Sequence, residues 1–302
     1  MSIKIKFAAY WNSDYNIYLF TNDIWNIDGL YDDILTYQDD YTHLVILNYV
    51  NHQQYRINKD NTYGIVIEPY WSENFDKKML SYCKKILTYQ PEKYENGRTI
   101  HCPLIGTHRL YNANEDGGGE IQPVLGTTKG VISRKFNKTK KLSIIVSSAP
   151  CDSRSETNYT NRRILVEKLL KSDIDFDMYG RGWKLSDSRY KGPLMNKISG
   201  IMDYEYTICL ENSCISGNIS EKFIDAVLCN TIPIYNGHRD INKFYPNSCE
   251  YIEYDGNEIE KIKAIINSGK TLNDYSFDNS KDLYLNVYNP IKIIKNEIMQ
   301  GN

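Results

Sequence analysis

The 302-residue chain contains no run approaching eighteen consecutive apolar residues, which argues against a helix that crosses a membrane. Its first residues, MSIKIKFAAYWNSDYN, lack the charged, apolar and small-residue order of a secretory signal. An excess of either charge is missing too: 36 Lys and Arg face 38 Asp and Glu, for a formal net charge of −2. No basic stripe is present to neutralise many phosphates, so nucleic acid is a poor candidate partner. Histidine is scarce, at five, with no H-E-x-x-H and no paired ligand spacing, and no metal site is expected. The seven cysteines are odd in number and form no CxxC. They fit reduced core thiols in a cytosolic setting better than a disulfide framework, while peripheral attachment to a membrane stays open.

What is present suffices for two modest domains: 41% hydrophobic and 25% charged residues over this length. Strands are expected at residues 2–10, 43–49 and 65–71, then an amphipathic helix from Phe75 to Ile86 and a strand near Ile100 to Ile105. From about Tyr111 the pattern dissolves into NANEDGGGEIQPVLGTTKG and a basic stretch, a composition suited to a linker. The expected division is an α/β unit over 1–140, a second over 141–288, and a last helix over 289–302 that could pack back on the first. In that last helix, Asn289 and Pro290 suit a cap and first position, and Ile291, Ile294 and Ile298 share one face. The second unit reads as strand LSIIVSSAP, a helix from Asn161 to Lys171, strand DFDMYG, a short helix around Met195 to Tyr204, and further strands and helices to Asn267. Alternation of this kind makes a parallel sheet.

Cys209 to Gly237, CLENSCISGNISEKFIDAVLCNTIPIYNG, concentrates the chemistry. A short apolar strand stops at Glu211-Asn212-Ser213, Gly217 frees the backbone, and Ser220 can cap a helix whose Phe223, Ile224, Val227 and Leu228 recur at helical spacing. Free N–H groups and the positive end of the helix dipole suit that junction to phosphate. Lys222 sits in the first turn, where a cation costs about 0.3–1 kcal/mol unless an anion offsets it; a solvated pair with Glu221 is the plainer explanation. Arg162 lies at a second helix start, after TNYTN, with Arg163 as its neighbour and competitor. An arginine fork can grip phosphate through two bonds. Glu68, at the end of the apolar IVIEPYW strand, would project into the crevice where open α/β sheets bind ligands and can serve as a general base. The D-x-D pairs Asp173-Ile-Asp175 and Asp175-Phe-Asp177 read as outward positions of a strand rather than a cation site.

The same run resembles the signature of glycosyltransferase family 10, the α1,3/α1,4-fucosyltransferases: C-F-E-N-S, a loop, G-Y-V-T-E-K, then T-I-P-I-Y-W-G. The likeness is strong over about Leu142 to Tyr254 and rests before that on the short anchors IVIEPYW and HCPLIGTHRL. It implies a GT-B architecture, two Rossmann-like α/β domains facing a central cleft, with acceptor on the N-terminal side and GDP-fucose on the C-terminal side. It further implies inverting, metal-independent transfer of fucose to a hydroxyl of a glycan, GlcNAc-containing or related, with no cofactor. By resemblance Glu68 is the base, Arg162 and Lys222 contact the diphosphate, and Asn212, Asn218 and Glu221 hold the donor. Two positions depart from the family pattern: Asn218 stands where Tyr is usual and Asn236 where Trp is usual. Another nucleotide-sugar donor, or a non-catalytic glycan-binding protein, are the alternatives.

Overall fold

The computed structural model describes residues 2–26, 28–51, 54–67, 81–94, 97–103, 111–112, 122–123, 132, 134–148, 157–213 and 217–300. Two parallel sheets organise them. The first holds β1 (Ile5–Ala9), β2 (Leu35–Thr36), β3 (His43–Leu47), β4 (Thr62–Ile65), β5 (Lys85–Thr88) and β6 (Thr99–His101), in the spatial order β2-β1-β3-β4-β5-β6. All five pairings are parallel, and Ala9, Leu47, Ile65 and Leu87 stand side by side at the carboxyl ends. Near-continuous apolar runs such as Leu44-Val45-Ile46-Leu47, all at most 1% exposed, are what a sheet covered on both faces requires. Helix α1 (Asp14–Trp25) follows β1, capped by the Ser13 hydroxyl accepting from the Asn16 N–H, and lays Ile17, Phe20 and Ile24 on the sheet.

After the antiparallel pair β7 (Tyr111–Asn112) and β8 (Gln122–Pro123), the second sheet begins. It contains β9 (Lys140–Ile145), β10 (Asp177–Tyr179), β11 (Tyr204–Leu210), β12 (Ile232–Asn236) and β13 (Glu250–Tyr251), ordered β10-β9-β11-β12-β13 and parallel throughout. Helices α2 (Tyr159–Lys171), α3 (Glu221–Leu228), α4 (Ile241–Phe244), α5 (Glu258–Ile266) and α6 (Phe277–Asp282) accompany it. In both sheets the chain leaves the first strand to one side and returns on the other, so each has a switch point, at β1/β3 and at β9/β11. Ligands of open α/β sheets bind outside the carboxyl ends of the strands at such points.

The halves meet through specific contacts. Helix α7 (Pro290–Gln300) buries Ile291, Ile294 and Ile298 in the core of the first sheet, and the Asn289 amide donates to the Trp25 carbonyl at 2.7 Å. Gly217, from the loop before α3, has a φ of +79° and lies so close to Tyr89 that a Cβ would stand 2.6 Å from the Tyr89 carbonyl oxygen.

Three sequence expectations shift. The fourth strand is Thr62–Ile65, earlier than the 65–71 expected, launched by a one-turn helix at Lys59–Asn61; Glu68 lies outside the described residues, as does most of 111–131. The helix expected over Phe75 to Ile86 lies mostly outside the described residues; Ser81 is helical, and the expected end at Ile86 falls instead in β5, where Ile86 and Leu87 bury both faces of a strand. The helix expected up to Tyr204 reduces to a single turn, Ile198–Gly200, and Tyr204 opens β11. Among the described residues no helix is long and apolar enough to cross a membrane.

Candidate functional site at the second switch point

At the carboxyl ends of β9 and β11 the loops are tied together, the Asn158 N–H donating to the Asn212 carbonyl at 2.7 Å. Helix α2 starts at Tyr159, so Arg162 sits at its fourth position with its own N–H already bonded to the Asn158 carbonyl at 2.9 Å. Helical side chains lean toward the N-terminus, which carries the Arg162 guanidinium back over the helix start. There Nη1 donates to the Asn212 side-chain oxygen. The residue is 5% exposed, its guanidinium lies 5.6 Å from the Tyr159 ring centre, and Nε has no hydrogen-bond partner among the described residues. Burial lowers its pKa, against the pull of Tyr254, Tyr159, Glu211 and Glu221. Arg163, one position on, points outward and pairs with Glu167 at 3.2 Å along the helix.

The start of α3 is assembled around a residue that the sequence reading passed over as part of a turn. Glu211, 1% exposed, accepts from the Ser220 N–H at 2.8 Å and from the Tyr235 hydroxyl at 3.3 Å. Ser220 in turn caps α3, its hydroxyl accepting from the Lys222 N–H at 3.3 Å. The Lys222 ammonium lies 3.2 Å from Glu221 and 3.7 Å from Glu211, so two carboxylates meet the cation that stands at the wrong end of the helix dipole. Lys197, from the turn before β11, reaches Asp225 at 2.6 Å and Glu221 at 3.6 Å, joining two residues one turn apart on α3. Gly237 is required by this crowding: a Cβ would lie 2.3 Å from the Tyr235 hydroxyl and 2.5 Å from Glu211 Cγ.

Of the residues singled out from sequence, the structure gathers Arg162, Asn212, Asn218, Glu221 and Lys222 around this switch point. Asn218 is half-buried and donates to the Ser213 hydroxyl at 3.1 Å. Asn236 is different: 1% exposed, it donates its amide to the Ile252 carbonyl at 2.9 Å and serves the sheet. The D-x-D aspartates are also apart from the site, and only Asp177 lies in a strand: Asp173, in the bend after α2, pairs with Lys263 at 2.7 Å, and Asp177, which opens β10, pairs with Lys140 at 2.9 Å. Glu68 lies outside the described residues; at the carboxyl ends of β3 and β4 the Ile67 N–H donates to the Asn48 side-chain oxygen at 2.8 Å.

Residues 136–274 match the family model described as Glycosyltransferase family 10 (fucosyltransferase) C-term. The chain is 27% identical over 167 residues to Alpha-(1,3)-fucosyltransferase B of Drosophila melanogaster, covering 52% of this chain and 36% of that protein. It is 24% identical over 87 residues to a fucosyltransferase-like protein of Arabidopsis thaliana, covering 29% of this chain and 16% of that one. The aligned regions thus span well under half the length of both relatives. A solved alpha1,3-fucosyltransferase with GDP superimposes with a TM-score of 0.52 at 15% identity, covering 95% of this chain and 91% of the other. That likeness identifies the pair of parallel sheets as the GT-B fold. The matched residues 136–274 span the second sheet and the run from Cys209 to Gly237, so it is this half of the chain that is similar to the C-terminal region of glycosyltransferase family 10.

Proposed function

We propose that this protein transfers L-fucose from GDP-fucose to a hydroxyl of a glycan acceptor, with inversion and without a metal ion. The observation that carries the reading is the convergence of Arg162 and Lys222 with the start of α3 at the second switch point. Two cations and the N–H groups of a helix start offer a diphosphate the charge stabilisation that a divalent ion supplies elsewhere. In the reaction the acceptor oxygen bonds to the anomeric carbon as the bond to diphosphate breaks. The hydroxyl proton passes to Glu68, and the departing GDP carries the negative charge into the Arg162 and Lys222 pair. Glu221, Asn212 and Asn218 would accept or donate hydrogen bonds to ribose and sugar hydroxyls. Five buried free cysteines, Cys83, Cys102, Cys209, Cys229 and Cys249, suit work in a reducing, cytosolic compartment.

A different nucleotide sugar is the second reading, favoured by one feature: Asn218 offers an amide where the family pattern has a ring. Calorimetry of the chain with GDP-fucose and with other nucleotide sugars separates the two, and tighter binding of another donor overturns fucose. For the chemistry, Glu68→Gln should lower turnover by about 10²–10⁴-fold with GDP affinity retained. Turnover within threefold of wild type removes Glu68 as base; a wild type that binds glycan but neither transfers nor hydrolyses donor is a binding protein.

A further inference from the structure

Five charged side chains alternate in sign along the first turns of α3. Asp225, its side chain 0% exposed, lies 2.6 Å from the Lys197 ammonium, and Lys197 lies 3.6 Å from Glu221. Glu221 lies 3.2 Å from the Lys222 ammonium, which is 3.7 Å from Glu211. Glu221 and Asp225 are four positions apart and share one face of the helix, where two carboxylates repel unless a cation stands between them. Lys197 is that cation, and it comes from a different segment, the turn that precedes β11.

The two lysines are held differently. The backbone of Lys197 belongs to a tight turn: its carbonyl accepts from the Gly200 N–H at 3.1 Å, and the Asn196 side-chain oxygen accepts from the Ser199 N–H at 3.0 Å. Gly200 packs so closely that a Cβ would stand 2.6 Å from Leu194 and 2.9 Å from Ile145 of β9. At the other end of the side chain, the buried Asp225 holds the ammonium, because a buried carboxylate deprived of its cation is costly. Lys222 has longer contacts, to its two carboxylates and to the Ser220 hydroxyl at 3.1 Å. It is the lysine that a diphosphate at the helix start can draw away, since an anion there gains the ammonium and the free N–H groups together. Once Lys222 turns, Glu221 stands as a carboxylate beside an incoming anion and needs a second cation.

We propose that Lys197 is a positioning residue of the donor site, holding Glu221 in place and neutralised while Lys222 turns to the diphosphate. The proposal rests on the reading of Glu221 and Lys222 as donor contacts. Lys197 acts through Glu221, which then keeps its oxygens for ribose or sugar hydroxyls without repelling the phosphates. A lysine that served only as the buried partner of Asp225 would act otherwise. It would matter for stability alone, and cutting the pair at either end would have the same effect.

Calorimetry of GDP binding to the full chain separates the two roles. Lys197→Met should weaken GDP by about five- to thirtyfold, somewhat less than removal of a direct charge-assisted contact, and Lys197→Arg should restore most of the loss. Asp225→Asn breaks the same ion pair but leaves Lys197 to Glu221, so GDP affinity should stay within about twofold of wild type. Lys197→Met alone leaves Asp225 buried without its cation, so Lys197→Met/Asp225→Asn guards against a folding defect; with stability verified by urea unfolding, it should bind GDP as weakly as Lys197→Met. In a Glu221→Gln background, Lys197→Met should change GDP affinity by less than about twofold, the coupling expected of a residue that acts through another. Equal losses in Asp225→Asn and Lys197→Met, or an undiminished Lys197→Met effect in the Glu221→Gln background, overturn the positioning role. Wild-type GDP affinity in both proteins carrying Lys197→Met overturns it as well and leaves the transferase reading intact. Lys197-dependent GDP binding in a protein that transfers no sugar leaves the positioning role standing and sinks the transferase reading instead.

Discussion

Arg162→Met separates a catalytic from a structural cation because the two roles predict opposite changes in stability. Arg162 is 5% exposed, its Nε lacks a partner among the described residues, and its pKa is lowered by burial despite the pull of Tyr254, Tyr159, Glu211 and Glu221. Desolvation therefore outweighs attraction, so the folded protein holds this charge at a loss. An apolar chain of similar length should leave stability unchanged or raise it by about 1–2 kcal/mol, the common outcome when a poorly compensated buried ion is replaced by packed carbon. If the same charge stabilises the departing diphosphate, its removal costs about 2–4 kcal/mol in the transition state, or roughly 30- to 900-fold in kcat/KM. Urea unfolding gives the first quantity and initial rates with GDP-fucose the second. A variant that loses more than about 2 kcal/mol of stability while transferring within threefold of wild type would refute the reasoning, since Arg162 would then be a structural clamp on Asn212.

Other features make independent predictions. The Lys138 ammonium donates to the carbonyls of Met202 and Cys229, both at 2.8 Å, and to the Thr231 hydroxyl at 2.7 Å, so Lys138→Met should cost about 1–3 kcal/mol in urea unfolding; a loss under 0.5 kcal/mol refutes it. Arg189 beside Asp187 holds that carboxyl down to about 2, below its unfolded value of 3.8. The folded pKa is the lower one, so this stabilisation is full above about pH 4 and fades as pH falls toward 2. Asp187→Asn should flatten that acid limb of the urea midpoint, and an unchanged limb contradicts the assignment. Gly217→Ala combines a left-handed backbone with a Cβ 2.6 Å from the Tyr89 carbonyl and should destabilise by about 1 kcal/mol or more while weakening GDP binding. Retained GDP affinity would mean that the loop can move away from the first sheet at no cost to the donor site.

How far the sequence carried the structure depended on which forces act locally. Helix α3 and its Ser220 cap were legible because the cap chemistry and the apolar spacing agree within nine residues. Helix α7 was legible for the same reason, through Asn289, Pro290 and the Ile291, Ile294 and Ile298 face. Short apolar runs were ambiguous: Ile86 and Tyr204 fit a helix or a strand until sheet pairing decides. Glu211 was illegible. In E-N-S it reads as a turn residue, and only the return of α3 and β12 surrounds it with Ser220 and Tyr235. The choice between Arg162 and Arg163 likewise needed the true start of α2, because one residue of phase, about 100°, turns one side chain inward and the other to solvent.

The two departures from the family pattern separate once their surroundings are known. Asn236 sits within β12, its backbone carbonyl accepting from the Glu211 N–H at 2.9 Å and its amide bound to Ile252. A residue so placed acts on the site only by holding Glu211 in position, so its substitution for a ring concerns packing between β12 and β13. Asn218 is half-buried, and its carbonyl lies 3.5 Å from the hydroxyl of Tyr235, which also touches Glu211. An amide there presents hydrogen-bonding groups where a ring would present an apolar face, in the loop that leads into Ser220 and Lys222. Donor choice should therefore respond to substitution of Asn218 and be indifferent to conservative changes at Asn236. Asn218→Tyr provides the direct comparison: if GDP-fucose is the donor, the restored ring should tighten its binding, whereas a donor selected by the amide should bind more weakly.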